Sequence, residues 1–172
     1  MADQEETMSD AVSREILIRG ARALAHADGL VPTLEALLAA AAGQLDVESA
    51  VIVTVDGPPG RLVIAASFGL GDAATAGLAE AIRNPGHPIA RTVHEPAPAF
   101  DVLPTQPGGP ALRSHLALTV TRDGTTTVLG VLALAHQQPI PDASRALVEA
   151  VADLAVVAIE RHRSDGVETL PA

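Results

Sequence analysis

Two pairs of apolar, β-branched runs constrain the fold of this chain more than any other feature. Each pair is joined by a short segment containing Asp-Gly, a dipeptide typical of tight turns between strands. The runs are Ala50 to Val55, Leu62 to Phe68, Leu112 to Thr121 and Thr125 to Ala135. Because a short turn joins antiparallel neighbours, both pairs predict hairpins of an antiparallel sheet.

Helical periodicity surrounds these hairpins. Helices are predicted over about residues 10–27, from Pro32 to the turn around Gly43, over 72–83, and from Asp142 as N-cap to residue 163. The helix from Pro32 has an apolar stripe formed by Leu34, Leu37, Leu38, Ala41 and Leu45. In the last helix one apolar stripe consists of Leu147, Val151, Leu154 and Ala158. Hairpins without regular alternation of strands and helices indicate an α+β fold, with helices on the faces of the sheet.

The length of 172 residues suits a single domain with one core. We expect this domain to span residues 10–163, between disordered tails at 1–9 and 164–172. The acidic N-terminus is unlike a secretory signal, and the longest apolar stretches are too short to cross a bilayer. The chain is therefore expected to be soluble and cytoplasmic, without a membrane partner.

Composition excludes several classes of function. A net charge of −10 and an aromatic content of 1% argue against binding nucleic acid, which needs basic surfaces and exposed rings. The absence of cysteine rules out disulfides, thiolate nucleophiles and cysteine-based metal sites. No two histidines have His-x-x-x-His spacing, so no metal site is predicted.

Five segments resemble parts of a GAF domain. LRSHLALTV, VLGVLALAH and ALVEAVADLAVVAIERH, in this order, resemble its C-terminal half. TLEALLAAAAGQLDVESAVIVTVD resembles the entry helix and first strand, and GHPIARTVHEPAPAFDV the middle of the domain. Within the expected domain, the resemblance is strongest over roughly residues 30–163.

The resemblance implies a profilin- or PAS-like architecture. Its central antiparallel sheet would have five or six strands, with terminal helices on one face, often forming a dimeric bundle. Short helices and loops would cover a small-molecule pocket on the other face. GAF domains bind cyclic nucleotides, bilins, haem or small metabolites, and some only dimerise and relay signals, so the fold names no ligand.

Departures from the family pattern narrow these options. Bilin attachment and the free methionine sulfoxide reductases of the family need cysteine, which is absent here. The Asn-Lys-Phe-Asp-Glu signature of cyclic-nucleotide binding is also missing. We therefore expect a lone GAF domain, with no identified cofactor and an unknown small molecule as its candidate ligand.

Six residues are candidates to line that pocket. Arg113 could pair with an anionic ligand, since a guanidinium matches carboxylate or phosphate geometry. The histidines could donate hydrogen bonds to a ligand. They could also ligate haem iron, although their spacing in the sequence does not favour a metal site. Surface exposure or core packing remains the alternative for each. The candidates are Phe68, His87, Phe100, Asp101, Arg113 and His115.

No catalytic constellation emerges from the sequence. Ser114 and His115 point to opposite faces of one strand, and a G-x-S-x-G elbow is missing. His136 stands where a strand meets the Pro-containing segment before the last helix, and we interpret it as a strand terminus without chemistry. The chain is therefore not expected to be an enzyme.

Three hypotheses on function remain. The first is a sensory module whose ligand changes a homodimer formed through Leu147, Val151, Leu154 and Ala158, and thereby signals to an unknown partner protein. The alternative is a ligand-free module for dimerisation or protein interaction. A haem-binding sensor or a small enzyme is the third.

Overall fold

The computed structural model describes residues 15, 18, 20, 22, 29–58, 60–103 and 112–168. Within them, residues 15, 18, 20 and 22 are helical. The helices that follow are α1 (Leu30–Leu45), α2 (Asp72–Ala81), α3 (Pro88–His94) and α4 (Asp142–Glu168). The strands are β1 (Val47–Asp56), β2 (Arg61–Phe68), β3 (Ala99–Val102), β4 (Leu112–Arg122) and β5 (Thr125–His136).

The strands form one antiparallel sheet in the order β2-β1-β5-β4-β3. β1 pairs with β2 and β4 with β5, as the two predicted hairpins. At the second turn Asp123 and Gly124 both have positive φ, 50° and 76°, as in the type I′ turn whose twist suits a hairpin. The predicted α+β fold is thus confirmed, with five strands in the described part of the chain.

The larger core lies between the sheet and the two long helices, α1 and α4. Leu34, Leu37 and Leu38 of the predicted α1 stripe are completely buried there. Gly20 lies in the same helical layer, where an added Cβ would come within 2.6 Å of Leu154 and 2.9 Å of Leu37. The terminal helices therefore share one face of the sheet, which we call the helix face.

The opposite face carries α2 and α3 over a smaller core, and we call it the α3 face. No residue of α2 is buried, although Leu78 packs partly against this core. α3 contacts β4 and β5. The smaller core consists of Val51, Val53, Ile82, Ile89, Val131 and Ala133. This face is thus covered less thickly than the helix face.

The stripe of α4 that was expected to contact a second copy packs inside the chain. Leu147, Val151 and Ala158 are buried in the larger core, and Leu154 is half-buried against it. The reason is that α4 lies directly on the sheet and on α1. The side of α4 that remains accessible includes Val157, which is 52% exposed.

The predicted end of α1 and the predicted start of α4 need correction. α1 continues past Gly43 to Leu45, and Asp46 takes the left-handed conformation (φ 49°) that ends it. Asp142 does not cap α4: the first amides of this helix bond the carbonyl of Pro141, and the Asp142 carboxylate pairs with Arg145 at 3.1 Å.

The predicted C-terminal tail is partly helical, because α4 runs to Glu168 rather than ending at residue 163. Residues 1–9 and 169–172, the rest of the predicted tails, lie outside the described residues. In the described part of the chain, no helix combines the length and the apolar character needed to cross a membrane.

Candidate functional site

Two of the predicted site residues lie side by side on β4, on the α3 face. Arg113 is paired in register with Ala135 of β5, and His115 with Ala133, which belongs to the smaller core. Directly opposite residues of antiparallel strands share a face, and residues two apart on one strand do as well. Both side chains therefore point toward α3, with His115 buried and Arg113 half-buried.

His87 joins them from the start of α3. The residue precedes Pro88 in an extended conformation, and its Nδ1 accepts a hydrogen bond from the Ile89 amide at 3.3 Å. It thus satisfies one of the amides that a helix start leaves without a partner. Because α3 packs on β4 and β5, this N-cap is held over the strand that carries Arg113 and His115.

Burial and the neighbouring charges affect the pKa of both histidines in the cluster. Burial, and then the positive charge of Arg113 and His87, lower the pKa of His115 to about 4. Burial and the Arg113 charge also lower the pKa of His87. Near neutral pH the cluster therefore contains neutral imidazoles beside one permanent positive charge.

Arg113 and His115, unlike His87, have no side-chain partner among the described residues. No described carboxylate forms an ion pair with Arg113, and no described residue hydrogen-bonds the ring of His115, which is 6% exposed. A half-buried guanidinium without a carboxylate partner can bind an external acceptor through its fork of N–H donors. We refer to Arg113, His115 and His87 as the Arg–His cluster.

Acidification is expected to destabilise the folded chain through His115. Its pKa is about 4 when folded, against 6.5 as the ordinary value, so the unfolded chain binds the proton more tightly between these pH values. The free energy of unfolding should then fall by about 1.4 kcal/mol for each pH unit lost in this window, with the full contribution present above it. Urea unfolding followed by far-UV circular dichroism measures this slope.

The control for this prediction is His115→Gln, which keeps a polar side chain but cannot titrate. The variant should lose less stability than the natural chain as the pH falls, whereas His87 still contributes with the same sign in both. Parallel loss of stability in the two proteins would contradict the depressed pKa of His115.

The structure places the other three predicted site residues elsewhere. Phe68 pairs with Ala50, a member of the larger core, and therefore lies on the helix face. Phe100 packs against the same core, with the Arg145 guanidinium 5.0 Å from its ring centre. Asp101 bonds to residues on that side as well. The sheet thus separates these three residues from the Arg–His cluster.

The conformation of Asp101 explains why β3 departs from simple alternation. Ala99 pairs with His115 and Val102 with Arg113, so Phe100 and Asp101 together face only Ser114. This is a β-bulge, and Asp101 adopts a positive φ of 56° in it. The bulge turns the Asp101 carboxylate toward the start of α4, which period-two reasoning cannot anticipate.

A buried polar network that includes Ser114 and His136 was missed by the sequence reasoning. Ser114 Oγ lies 2.9 Å from His136 Nε2 and accepts a hydrogen bond from the Asp101 amide at 3.1 Å. His136 Nδ1 lies 2.8 Å from the Gln138 carbonyl. A carbonyl only accepts, so Nδ1 carries a proton, and in this tautomer Nε2 accepts the hydrogen bond of the Ser114 hydroxyl. The sequence signal that could have revealed this network was a serine at the start of one strand and a histidine at the end of its hairpin partner.

The network continues to α4 through Asp101. One carboxylate oxygen accepts from the Ile140 amide and the other from Arg145, both at 2.8 Å. β3, β4, β5 and α4 are therefore joined at one corner of the sheet.

This arrangement differs from a catalytic triad in two respects. The atom bonded to His136 Nδ1 is a backbone carbonyl, and Asp101 Oδ1 lies 3.9 Å from Nε2, the nitrogen already facing Ser114. Ser114 is completely buried and His136 is 1% exposed, so a substrate cannot reach either. The contacts tie the sheet to α4, in line with the interpretation of His136 as a strand terminus.

Other candidate sites in the described residues are less developed. No group of three or more acidic, histidine or cysteine side chains there could hold a metal ion. A cleft of about 90 Å³ lies between α1 and the end of α4, and one of about 230 Å³ lies near Asp46, Gln138 and Ser144. Neither cleft is lined by a residue of the Arg–His cluster.

Comparison with known proteins identifies the architecture. Residues 32–161 match a family model described as the GAF domain. A search of curated proteins found no significant match. Among solved structures, the chain is similar to the GAF domain of an Acinetobacter phosphoenolpyruvate-protein phosphotransferase, with 15% identity, a TM-score of 0.70, and coverage of 90% of this chain and 97% of that one.

Two further structures come from proteins of signalling systems. One is the GAF domain of a protein described as a sensor histidine kinase from Pseudomonas syringae pv. tomato (16% identity, TM-score 0.68, 97% and 99% coverage). The other comprises residues 122 to 287 of a methyl-accepting chemotaxis protein (18% identity, TM-score 0.62, 88% and 99% coverage). At these identities the likeness concerns the fold.

Proposed function

Since this chain belongs to the GAF domain family, we propose that it is a sensory module that binds a small molecule at the Arg–His cluster. GAF domains are commonly sensory domains of signalling proteins. The observation that carries the proposal is the half-buried Arg113 beside the buried His115: among the described residues, the former has no counter-ion and the latter no hydrogen-bond partner. The proposed role involves no catalysis, because the Ser114–His136 pair is inaccessible.

β4 supplies a route from the ligand to the helix face. Ser114 lies between Arg113 and His115 in the strand, but its side chain bonds His136 and the Asp101 amide on the opposite face. Asp101 in turn bonds Arg145 in the first turns of α4. A ligand that favours one position of β4 would thereby favour one arrangement of α4, which is a shift between populated states.

The signal would be transmitted by a homodimer that associates through the helical layer. The outward side of this layer exposes Val31 of α1 and Val157 of α4 by 48% and 52%, and Ile18 by 39%. These side chains offer a modest apolar contact between copies. A signalling partner protein would then respond to the arrangement of the paired helices.

A ligand-free interaction module is the second candidate. It is favoured by the apolar side chains that fill the α3 face, and by the position of the two clefts away from the Arg–His cluster. The two candidates differ in whether a small molecule binds on the α3 face.

Native mass spectrometry of the purified chain, before and after incubation with a metabolite extract, tests the proposal. We expect a dimer and a retained small molecule, and Arg113→Gln should lose the molecule. Arg83→Gln is the matched control, because Arg83 is an exposed arginine paired with Glu80 on the surface. A strict monomer would contradict the homodimer, and a chain that retains nothing would favour the ligand-free candidate.

A further inference from the structure

We infer that the Arg–His cluster takes a small monocarboxylate, whose carboxylate pairs with Arg113 while its carbon chain lies against partly exposed apolar side chains at the edge of the smaller core. The inference rests on the proposed sensory function and adds the chemical class of the ligand. Its basis is the placement of one charged, one buried polar and several small apolar side chains on a single patch of the sheet.

The positive charge of the patch favours the binding of an anion. Arg113 is half-buried in a chain with a net charge of −10, yet no described carboxylate pairs with it. Its neighbours in register are Ala135 on β5 and Val102 on β3, neither of which can accept a hydrogen bond from a guanidinium through its side chain. The sequence of the segment 104–111, PTQPGGPA, contains no acidic residue either. A planar carboxylate can occupy the guanidinium fork with two parallel hydrogen bonds.

Small side chains surround the position next to Arg113. His115 is flanked in register by Ala99 on β3 and by Ala133 on β5. Because Arg113 and His115 are two residues apart on one strand, their Cα atoms are separated by about 6.5 Å. A ligand of a few carbon atoms can extend over this distance, from the guanidinium to the imidazole, above a floor of alanines.

The cluster can balance only one negative charge. His115 is neutral near pH 7, since its pKa is about 4, and Arg113 therefore provides the permanent charge of the patch. A neutral imidazole still offers one N–H donor to a second ligand oxygen. A dianion such as inorganic phosphate would keep an uncompensated charge in a partly buried site, which is costly.

The surroundings of the cluster suit a hydrocarbon chain. Ile89, Val131 and Ala133 of the smaller core are already covered by the chain. The accessible apolar groups are Val102 of β3, which is 45% exposed and in register with Arg113, and the half-buried Val93 of α3. Contact with these groups removes apolar ligand surface from water, which contributes about 25 cal/mol for each Å². A short aliphatic monocarboxylate combines this contact with the Arg113 ion pair.

Titration of the ¹⁵N-labelled full chain with butyrate, followed by NMR, tests this inference. Butyramide serves as the isosteric neutral probe, inorganic phosphate as the dianion, and sodium chloride controls the ionic strength. We expect butyrate alone to give saturable shifts of the Arg113 Nε–H and of the amides of residues 113–115. Arg113→Gln should weaken butyrate binding by about 10- to 100-fold, as expected for one lost charge-assisted interaction.

Two variants make the result specific. Arg113→Lys keeps the charge without the planar fork and should bind butyrate with intermediate affinity, whereas Arg83→Gln should bind like the natural chain. Butyramide or phosphate binding at these amides in place of butyrate would overturn the monocarboxylate class and leave the sensory function standing. Butyrate shifts that persist in Arg113→Gln would also overturn it. If neither these probes nor the metabolite extract binds on the α3 face, the proposed sensory function fails as well.

Discussion

Replacing Gly130 with alanine is expected to lower the free energy of unfolding by about 3 kcal/mol or more. Gly130 lies in β5 opposite Thr54, where an added Cβ would be 2.2 Å from the Val53 carbonyl oxygen and 3.2 Å from the Thr54 Cα. Both atoms belong to the backbone of β1, which is held between β2 and β5 and cannot move aside without breaking ladder hydrogen bonds.

Urea unfolding followed by far-UV circular dichroism measures this change, since the chain has no tryptophan or tyrosine for fluorescence. Gly77→Ala is the matched control: Gly77 lies in the exposed helix α2, with nothing within 4 Å of an added Cβ. That variant should be more stable by about 0.5–1 kcal/mol, because alanine loses less backbone freedom in a helix. A Gly130→Ala protein as stable as the natural one would contradict the close approach of the two strands.

Replacing Ser114 with alanine is expected to have the second-largest effect. The hydroxyl both accepts from the Asp101 amide and bonds His136 Nε2, and each of these groups is left without a partner when it is removed. A buried polar group without its hydrogen bond costs about 1–3 kcal/mol, and two such groups are affected. The loss should be concentrated at the corner where β3 meets α4, because Asp101 also bonds Arg145.

Two measurements distinguish this effect from a general loss of packing. Urea unfolding gives its size, and hydrogen exchange should show faster exchange of the Asp101 amide in Ser114→Ala. Ser67→Ala provides the comparison, as Ser67 is a half-buried strand serine whose side chain forms no hydrogen bond with the described residues. Equal stability of the two variants would argue against the network as a structural tie.

Part of the fold and of the candidate site could be predicted from the sequence alone. Both hairpins and the run of the last helix follow from local signals: alternating apolar residues, Asp-Gly turns and a helical stripe. The placement of the Arg113 and His115 side chains on one face follows equally from strand periodicity, since residues two apart share a face. The sequence also predicts the burial of the α1 leucines, which the structure confirms.

Strand periodicity could not decide whether Phe68, Phe100 and Asp101 lie on the same face of the sheet as Arg113 and His115. Each lies in a strand, but the face it takes depends on register and on the bulge at Asp101, both set by a partner strand. The same holds for the α4 stripe, whose periodicity identifies an apolar side without saying what covers it. The sheet and α1 cover it within one chain.

The sequence by itself determined the local elements of this protein, the absence of thiol chemistry, and the side-by-side placement of Arg113 and His115. Only the tertiary structure decided that Ser114 meets His136, 22 residues away, and that Asp101 meets Arg145, 44 residues away. The physical reason is that turn and periodicity signals act over a few residues, whereas the pairing of β3 with β4 and the docking of α4 depend on burying surfaces that are distant in the chain.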